Sequence, residues 1–331
     1  MKKIAFFDTK PYDIEWFDSL KDEYGFEIKY FESKLGPNTS VMAKGCDAAV
    51  TFVNDELNAE TIDNLLECGI QAIGLRCAGF NNVDLKHAEG KIKIYRVPAY
   101  SPNAVAEHAM ALLLCINRKV HRAYNRVREY NFSLKGLTGF DLKGKVVGVV
   151  GTGKIGRAFI DICKGFGMKV LAYDPYPADL PDVEYVELEE IFRESNIIAL
   201  HCPLTLQNYH MINKNTLSIM KDGVYIINTS RGALIDAEAL LDAIKTEKVA
   251  GAGLDVYEEE SDLFFEDVSD TIVIDDVLKL LLSTPNILIT SHQAFLTEEA
   301  LQAIAEVTLQ NLRDHFDGVP NENEVVHKAK K

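Results

Sequence analysis

The chain of 331 residues predicts an α/β protein built as two doubly wound parallel-sheet domains with a cleft between them. Three observations predict it. Short apolar runs alternate with helical patterns along the whole length. A glycine signature, Gly-x-Gly-x-x-Gly, opens at Gly151, directly after a strand-like run and far from the N-terminus. The length itself corresponds to about two domains at roughly 150 residues each.

In the first hundred residues, 4–8, 26–31, 48–52, 72–76 and 92–97 read as strands, and 14–24, 59–68 and 83–87 as helices. A second set begins near Lys145: 145–150, 169–173, 196–200, 224–228, 249–254 and 287–290 are six further strand candidates. Several are continuous apolar runs, as strands covered on both faces require. Between the two sets, Ser101 suits an N-cap and Pro102 the first helical position, with Ala104, Ala106 and Ala109 following. Residues 109–116 are apolar nearly all round, which predicts one buried helix running to about residue 125, connecting the domains or forming part of a subunit interface. Arg118, Lys119, Arg122, Arg126 and Arg128 read as a solvated helix face. The expected division is 1–99 plus 297–331 for one domain and 100–296 for the other, because a helix from about Thr297 follows the last strand.

The chain is 47% hydrophobic and 26% charged, which excludes a disordered protein. A net charge of −15 argues against nucleic-acid and anionic-membrane partners. No stretch approaches the roughly 20 apolar residues of a membrane span. Lys2 and Lys3 precede an apolar run that Asp8 ends too soon for a signal peptide. The six cysteines show no C-x-x-C pair, so reduced core thiols, no metal site and a cytoplasmic location are expected.

The glycine signature is Gly151-Thr152-Gly153-Lys154-Ile155-Gly156. Between a strand and a helix, the first glycine permits the tight turn, the second admits pyrophosphate and the third lets helix and strand pack. Amide N–H groups at the helix start, including those of Lys154 and Ile155, favour an anion. Asp174 ends the next strand, 18 positions after Gly156, where a carboxylate accepts from ribose hydroxyls and repels a 2′-phosphate. NAD is therefore expected rather than NADP. This second domain should have the Rossmann arrangement and the first a flavodoxin-like one.

Three further segments follow strand-like runs: Asn228-Thr229-Ser230-Arg231-Gly232, residues 253–260, and Ser291-His292-Gln293-Ala294-Phe295. With Leu75-Arg76-Cys77-Ala78-Gly79-Phe80 and the late position of the glycine signature, the whole chain resembles the D-isomer-specific 2-hydroxyacid dehydrogenase family. Within it, the pattern is most similar to the bacterial fermentative NAD-dependent D-lactate branch. The resemblance implies a catalytic set of Arg231, Glu260 and His292. Residues 258–260 read equally well as a solvated acidic run, and the choice of the third acid rests on the family pattern, which places it five residues after Asp255.

The chemistry suits these residue types. Reduction of a 2-keto acid needs a proton for the developing alkoxide, and an unperturbed imidazole pKa of about 6.5 suits its delivery. A paired carboxylate favours the imidazolium and fixes the ring. Arginine offers planar donors to carboxylate and carbonyl oxygen. The resemblance further implies Cys202, Pro203, Asn208, Thr229, Ser230 and Asp255 as cofactor contacts, with Asp255 at the carboxamide end. It implies Ala78 and Gly79 amides and Tyr100 as substrate contacts. Phe52 and Phe295 are candidate walls around C3, suited to a methyl group, or else core residues. His201 reads as structural.

The expected reaction is reversible hydride transfer between NADH and pyruvate giving D-lactate, by a homo-oligomer, dimer or tetramer. The alternatives are an enzyme for a bulkier 2-keto acid and an NAD-sensing, corepressor-like binding protein. Residues 255–280 hold ten acids and one lysine, which predicts an acidic surface loop that carries the relay glutamate.

Overall fold

The apolar runs of the first hundred residues form a five-stranded parallel sheet: β1 (Lys2–Phe6), β2 (Phe26–Tyr30), β3 (Ala48–Thr51), β4 (Ala72–Leu75) and β5 (Lys93–Tyr95). The computed structural model describes residues 1–260 and 263–327, so Asp262 of the acidic run and residues 328–331 lie outside the described residues. The strand order is β2-β1-β3-β4-β5, the flavodoxin-like order. Every residue of β3 and β4 is buried, as central strands of a doubly covered sheet must be. Helices α1 (Pro11–Tyr24), α2 (Ala59–Glu67) and α3 (Leu85–Ala88) connect the strands.

The sheet also takes up the last helix of the chain. Asp317 ends a helix that begins at Glu298, with Thr297 as N-cap accepting from the Ala300 amide at 3.3 Å. Its Ala305, Leu309 and Leu312 join Ile4, Phe6, Phe17 and Val50 in one core. Gly74 allows the close approach, since a Cβ there would lie 3.3 Å from the Thr308 methyl. The chain accordingly divides into two compact units, Met1–Ser101 with the segment from Leu296 onward, and Pro102–Phe295.

The second unit opens with α4 (Pro102–Arg118) and α5 (Val120–Arg128). Its sheet comprises β6 (Val146–Val150), β7 (Lys169–Tyr173), β8 (Glu184–Tyr185), β9 (Ile197–Leu200), β10 (Val224–Asn228), β11 (Val249–Leu254) and β12 (Ile287–Ile289). Helices α6 (Lys154–Gly165), α7 (Leu188–Glu194), α8 (Lys214–Ile219), α9 (Ala237–Lys245) and α10 (Asp276–Ser283) cover it, and the Glu298–Asp317 helix of the first unit is α11. All pairings are parallel, in the order β12-β11-β10-β9-β6-β7-β8. The order reverses at β6 and β9, the crevice where nucleotides bind in such sheets.

Three features differ from expectation. The sheet has a seventh strand, β8, two residues long at its edge. The single helix expected to run to residue 125 breaks at Lys119, which takes a left-handed φ of +53°. The break has a distant cause. Asn117 accepts from the Phe140 amide at 2.9 Å and donates to its carbonyl at 2.8 Å, and Lys119 Nζ donates to the Thr138 carbonyl. The acidic surface loop ends early: Asp275 caps α10 by accepting from the Leu278 amide at 2.8 Å. Among the described residues no helix is long and apolar enough to cross a membrane. The six cysteines form no disulfide among the described residues, and burial pushes the Cys163 thiol up to about 12.

Candidate active site

The glycine turn sits where β6 meets α6. Gly151 has φ +98°, and a Cβ there would lie 2.6 Å from the His201 carbonyl oxygen. Gly156 lies on the same turn, since its Cβ would be 2.0 Å from the Gly151 oxygen. Gly153, the N-cap of α6, faces open space: a Cβ would meet nothing within 4 Å. Lys154 and Ile155 form the first turn of α6, whose amides have no partner within the helix. Asp174 is held over the turn, with Oδ2 accepting from the Thr152 amide at 2.7 Å and hydroxyl at 3.1 Å, and Oδ1 from the Tyr176 amide at 2.9 Å.

The loop after β9 continues this edge. Asn208 Oδ1 accepts from the Thr205 amide at 2.6 Å, and Nδ2 donates to the Pro203 carbonyl at 2.8 Å. Ser230 Oγ donates to the Cys202 carbonyl at 2.5 Å, which ties the loop to the turn after β10. Burial pushes the Cys202 thiol up to about 11 and keeps it neutral. Thr229 Oγ1 is buried with no hydrogen-bond partner among the described residues. A glycine cradle open at Gly153, an anion-favouring helix start, a carboxylate at the next strand end and an orphaned hydroxyl together fit a dinucleotide.

His201 underpins the cradle. Its ring packs 4.9 Å from that of Phe159, neither ring nitrogen has a partner among the described residues, and burial pushes its pKa from 6.5 down to about 4. The unfolded chain takes up this proton as pH falls through about 6.5, but the folded chain does not until about 4. Stability from His201 is therefore complete above 6.5 and is lost towards 4, by up to about 3 kcal/mol. A His201→Leu variant is expected to lose less stability than the parent between pH 6.5 and 4 in urea unfolding. Equal losses would refute the assignment.

Three turns at the carboxyl ends of β10, β11 and β12 carry the other charged groups. Asn228 Nδ2 donates to the Arg231 carbonyl at 2.8 Å and Oδ1 accepts from the Ser230 amide at 3.0 Å, an Asx turn that shapes residues 229–231. Arg231 Nη1 donates to the Ser230 carbonyl at 2.6 Å. Gly232 then lets this turn rest on the next loop, because a Cβ would lie 2.0 Å from the Tyr257 carbonyl carbon. Glu260 Oε2 accepts from the Tyr257 amide at 2.9 Å, and Oε1 lies 2.8 Å from His292 Nδ1. Both side chains are about one-fifth exposed, 19% and 21%, so solvent screens the pair only partly. His292 itself has φ +52°, and its amide donates to the Asp255 carbonyl at 2.7 Å. Arginine donors, a carboxylate–imidazole pair and a dinucleotide cradle on one sheet edge make a site for transferring hydride and proton to a carbonyl carbon and oxygen.

The model of the D-isomer specific 2-hydroxyacid dehydrogenase NAD-binding domain matches residues 110–294. The chain is 50% identical over 328 residues to D-lactate dehydrogenase of Escherichia coli K12, covering 98% of this chain and 100% of that one. This chain belongs to the D-isomer-specific 2-hydroxyacid dehydrogenase family. Solved structures agree. The apo-structure of the E. coli D-lactate dehydrogenase superposes with a TM-score of 0.91 at 48% identity, covering 98% and 100% of the two chains. D-2-hydroxyisocaproate dehydrogenase gives 0.88 at 34% identity, again covering 98% and 100%.

For a member of this family, Asp255 is turned unexpectedly inward. Its fully buried carboxylate accepts from Thr290 Oγ1 at 2.5 Å, the Gln293 amide at 2.9 Å and the Ala294 amide at 2.8 Å, with His108 Nε2 3.3 Å away. In this structure Asp255 shapes the turn that presents His292. In the first unit, Cys77 is buried, and Ala78 and Gly79 are half-buried in the turn after β4. Arg96 Nη1 donates to the Ala78 carbonyl at 3.1 Å. Tyr100 is half-buried, and Phe52 and Phe295 are buried. The sequence alone does not show the contacts made by four residues, Asn228, His108, Glu258 and Arg76. Asn228 carries a legible signal, since asparagine before Thr-Ser at a strand end favours an Asx turn.

Proposed function

We propose that this chain is an NAD-dependent D-lactate dehydrogenase that interconverts pyruvate and D-lactate. The observation that carries the proposal is the 2.8 Å Glu260–His292 pair on the same sheet edge as Arg231 and the glycine cradle. The E. coli relative, alike over nearly the full length, bears the same activity in its name. NADH, when bound, supplies the hydride for C2 of the keto acid. Arg231 offers donors to the substrate carboxylate and carbonyl oxygen. With Nδ1 against Glu260, His292 keeps Nε2 for delivering a proton to that oxygen and for removing it in the reverse reaction. Amides of Ala78 and Gly79 and the Tyr100 hydroxyl are assigned to the substrate, and Phe52 and Phe295 to the space around C3. Gly151, Gly153, Lys154, Ile155, Gly156, Asp174, Cys202, Pro203, Asn208, Thr229 and Ser230 are assigned to the cofactor. Asp255 supports the nicotinamide end through the His292 turn.

The deciding experiment is NADH oxidation with pyruvate, oxaloacetate and 2-ketoisocaproate, then D- against L-lactate in reverse. Fastest turnover with pyruvate and D-lactate is expected. Preference for 2-ketoisocaproate would replace the substrate, and no reduction at any pH would replace the enzyme with an NAD-binding protein. Asp174→Asn keeps an acceptor for Thr152 but removes the charge facing a 2′-phosphate. Because that repulsion is on the order of 1–4 kcal/mol, NADPH use relative to NADH is expected to rise at least fivefold. An unchanged ratio would remove Asp174 from the ribose.

A cytoplasmic homo-oligomer, dimer or tetramer, belongs to the same reading. Helix α5 buries none of its residues, and Val120, Tyr124 and Val127 are exposed on it, followed by Tyr130, Phe132 and Leu134. Such an apolar face favours a covering subunit. Sedimentation of the parent and of a Tyr124→Glu, Val127→Glu variant tests it.

A further inference from the structure

Glu260 is not the only acid of its run with an imidazole partner. Glu258 Oε1 accepts from Tyr209 Oη at 2.6 Å, and His210 Nε2 lies 3.0 and 2.9 Å from the two Glu258 oxygens. The Tyr209 and His210 rings stack with centroids 4.0 Å apart and planes at 19°. His210 holds a left-handed φ of +48°, uncommon for any residue but glycine, so the surroundings help to fix this backbone.

The pair joins loops that each carry part of the site. The His210 amide donates to the Ala233 carbonyl at 2.9 Å, two residues beyond Arg231. The Met211 amide donates to the Asn208 carbonyl at 3.1 Å, and Asn208 organises the cofactor-side loop. Gly232 rests on the Tyr257–Glu258 peptide, and Glu260 follows two residues later. Three turns therefore meet around the Glu258–His210 pair: the cofactor-side loop, the arginine turn and the relay loop.

We propose that Glu258 is a positioning residue for the reaction, a clasp that holds the relay carboxylate Glu260 in register with Arg231 and with the cofactor-side loop. This rests on the dehydrogenase reading. The side chains are part-exposed, 26% for Glu258 and 29% for His210, so the clasp adds little to overall stability. Catalysis tolerates displacement far less: misplacing a reacting group by about 1 Å can cost roughly a hundredfold in rate. The clasp should therefore show in turnover and cofactor binding rather than in unfolding.

In Glu258→Ala, kcat for keto-acid reduction is expected to fall roughly 10- to 100-fold. The NADH dissociation constant, read by fluorescence without substrate, rises, while the urea midpoint stays at the parent value. Glu258→Gln keeps acceptors for Tyr209 and His210 and restores most of both losses. Glu259→Ala, at an exposed neighbouring position, changes neither. Three results would overturn the clasp: parent kcat and NADH affinity in Glu258→Ala, a loss matched by an equal drop in urea stability, or Gln no better than Ala. If the parent reduces no keto acid, the dehydrogenase reading fails, and the NADH titrations still decide the clasp.

Discussion

The His292→Asn variant is expected to fold as the parent does and to lose roughly two to four orders of magnitude in kcat for keto-acid reduction. Asparagine suits the test because it tolerates the left-handed backbone that His292 occupies at φ +52°. It also keeps the amide that donates to the Asp255 carbonyl at 2.7 Å. What it lacks is the imidazole, with one ring nitrogen 2.8 Å from Glu260 and the other left to pass a proton to the substrate oxygen. NADH binding, measured by fluorescence, should change little. A kcat within tenfold of the parent would move the acid to another group.

The second large effect concerns stability. Arg76, only 2% exposed, donates from Nη2 to the Asp8 carbonyl at 2.6 Å and lies 3.3 Å from Asp13 Oδ2. Its guanidinium stands 3.9 Å over the Phe52 ring and 5.4 Å from that of Phe6. Asp8 and Asp13 are themselves buried, at 0% and 3%. Burial raises the Asp13 pKa above its ordinary 3.8 even though Arg76 pulls it down. Arg76→Met keeps much of the side-chain volume but strands Asp13, while Asp8 keeps Lys10 Nζ at 3.0 Å, and should cost about 3–5 kcal/mol in urea unfolding. The deficit should narrow as pH falls towards the carboxyl range, because protonation then discharges Asp13. Adding Asp13→Asn should return part of the loss. A cost below about 1 kcal/mol would show that Asp13 is not left stranded.

Elements with a local cause were legible in the sequence. The runs 169–173, 224–228 and 249–254 are strands to the residue, because continuous apolar sequence has no other place in a doubly covered sheet. The glycine turn could be read because each glycine answers a separate local demand, an unusual φ, an open mouth and a close approach. Elements with a distant cause were not legible. The break at Lys119 is imposed from Thr138 and Phe140. Strand β8 is the polar pair Glu184–Tyr185, recruited by the edge of β7. Helix α10 is masked because Asp275 and Asp276 continue the acidic run directly into the Val-Leu-Lys-Leu-Leu-Leu that forms it. Arg76 closed a strand pattern and gave no sign that acids more than sixty positions earlier would bury it. Local sequence likewise gave no reason to place Glu258 beside His210 rather than in solvent.

The φ of +52° at His292 also bears on how this chain can be improved or can drift. A non-glycine residue held there costs on the order of 1–2 kcal/mol. Glycine at 292 would relieve that strain and leave the relay without its acid. Stability and chemistry therefore rank amino acids in opposite order at this one position. Variants screened only for heat resistance should lose histidine here before they lose it at positions with ordinary backbones, and a thermostabilised library needs a turnover screen to keep it.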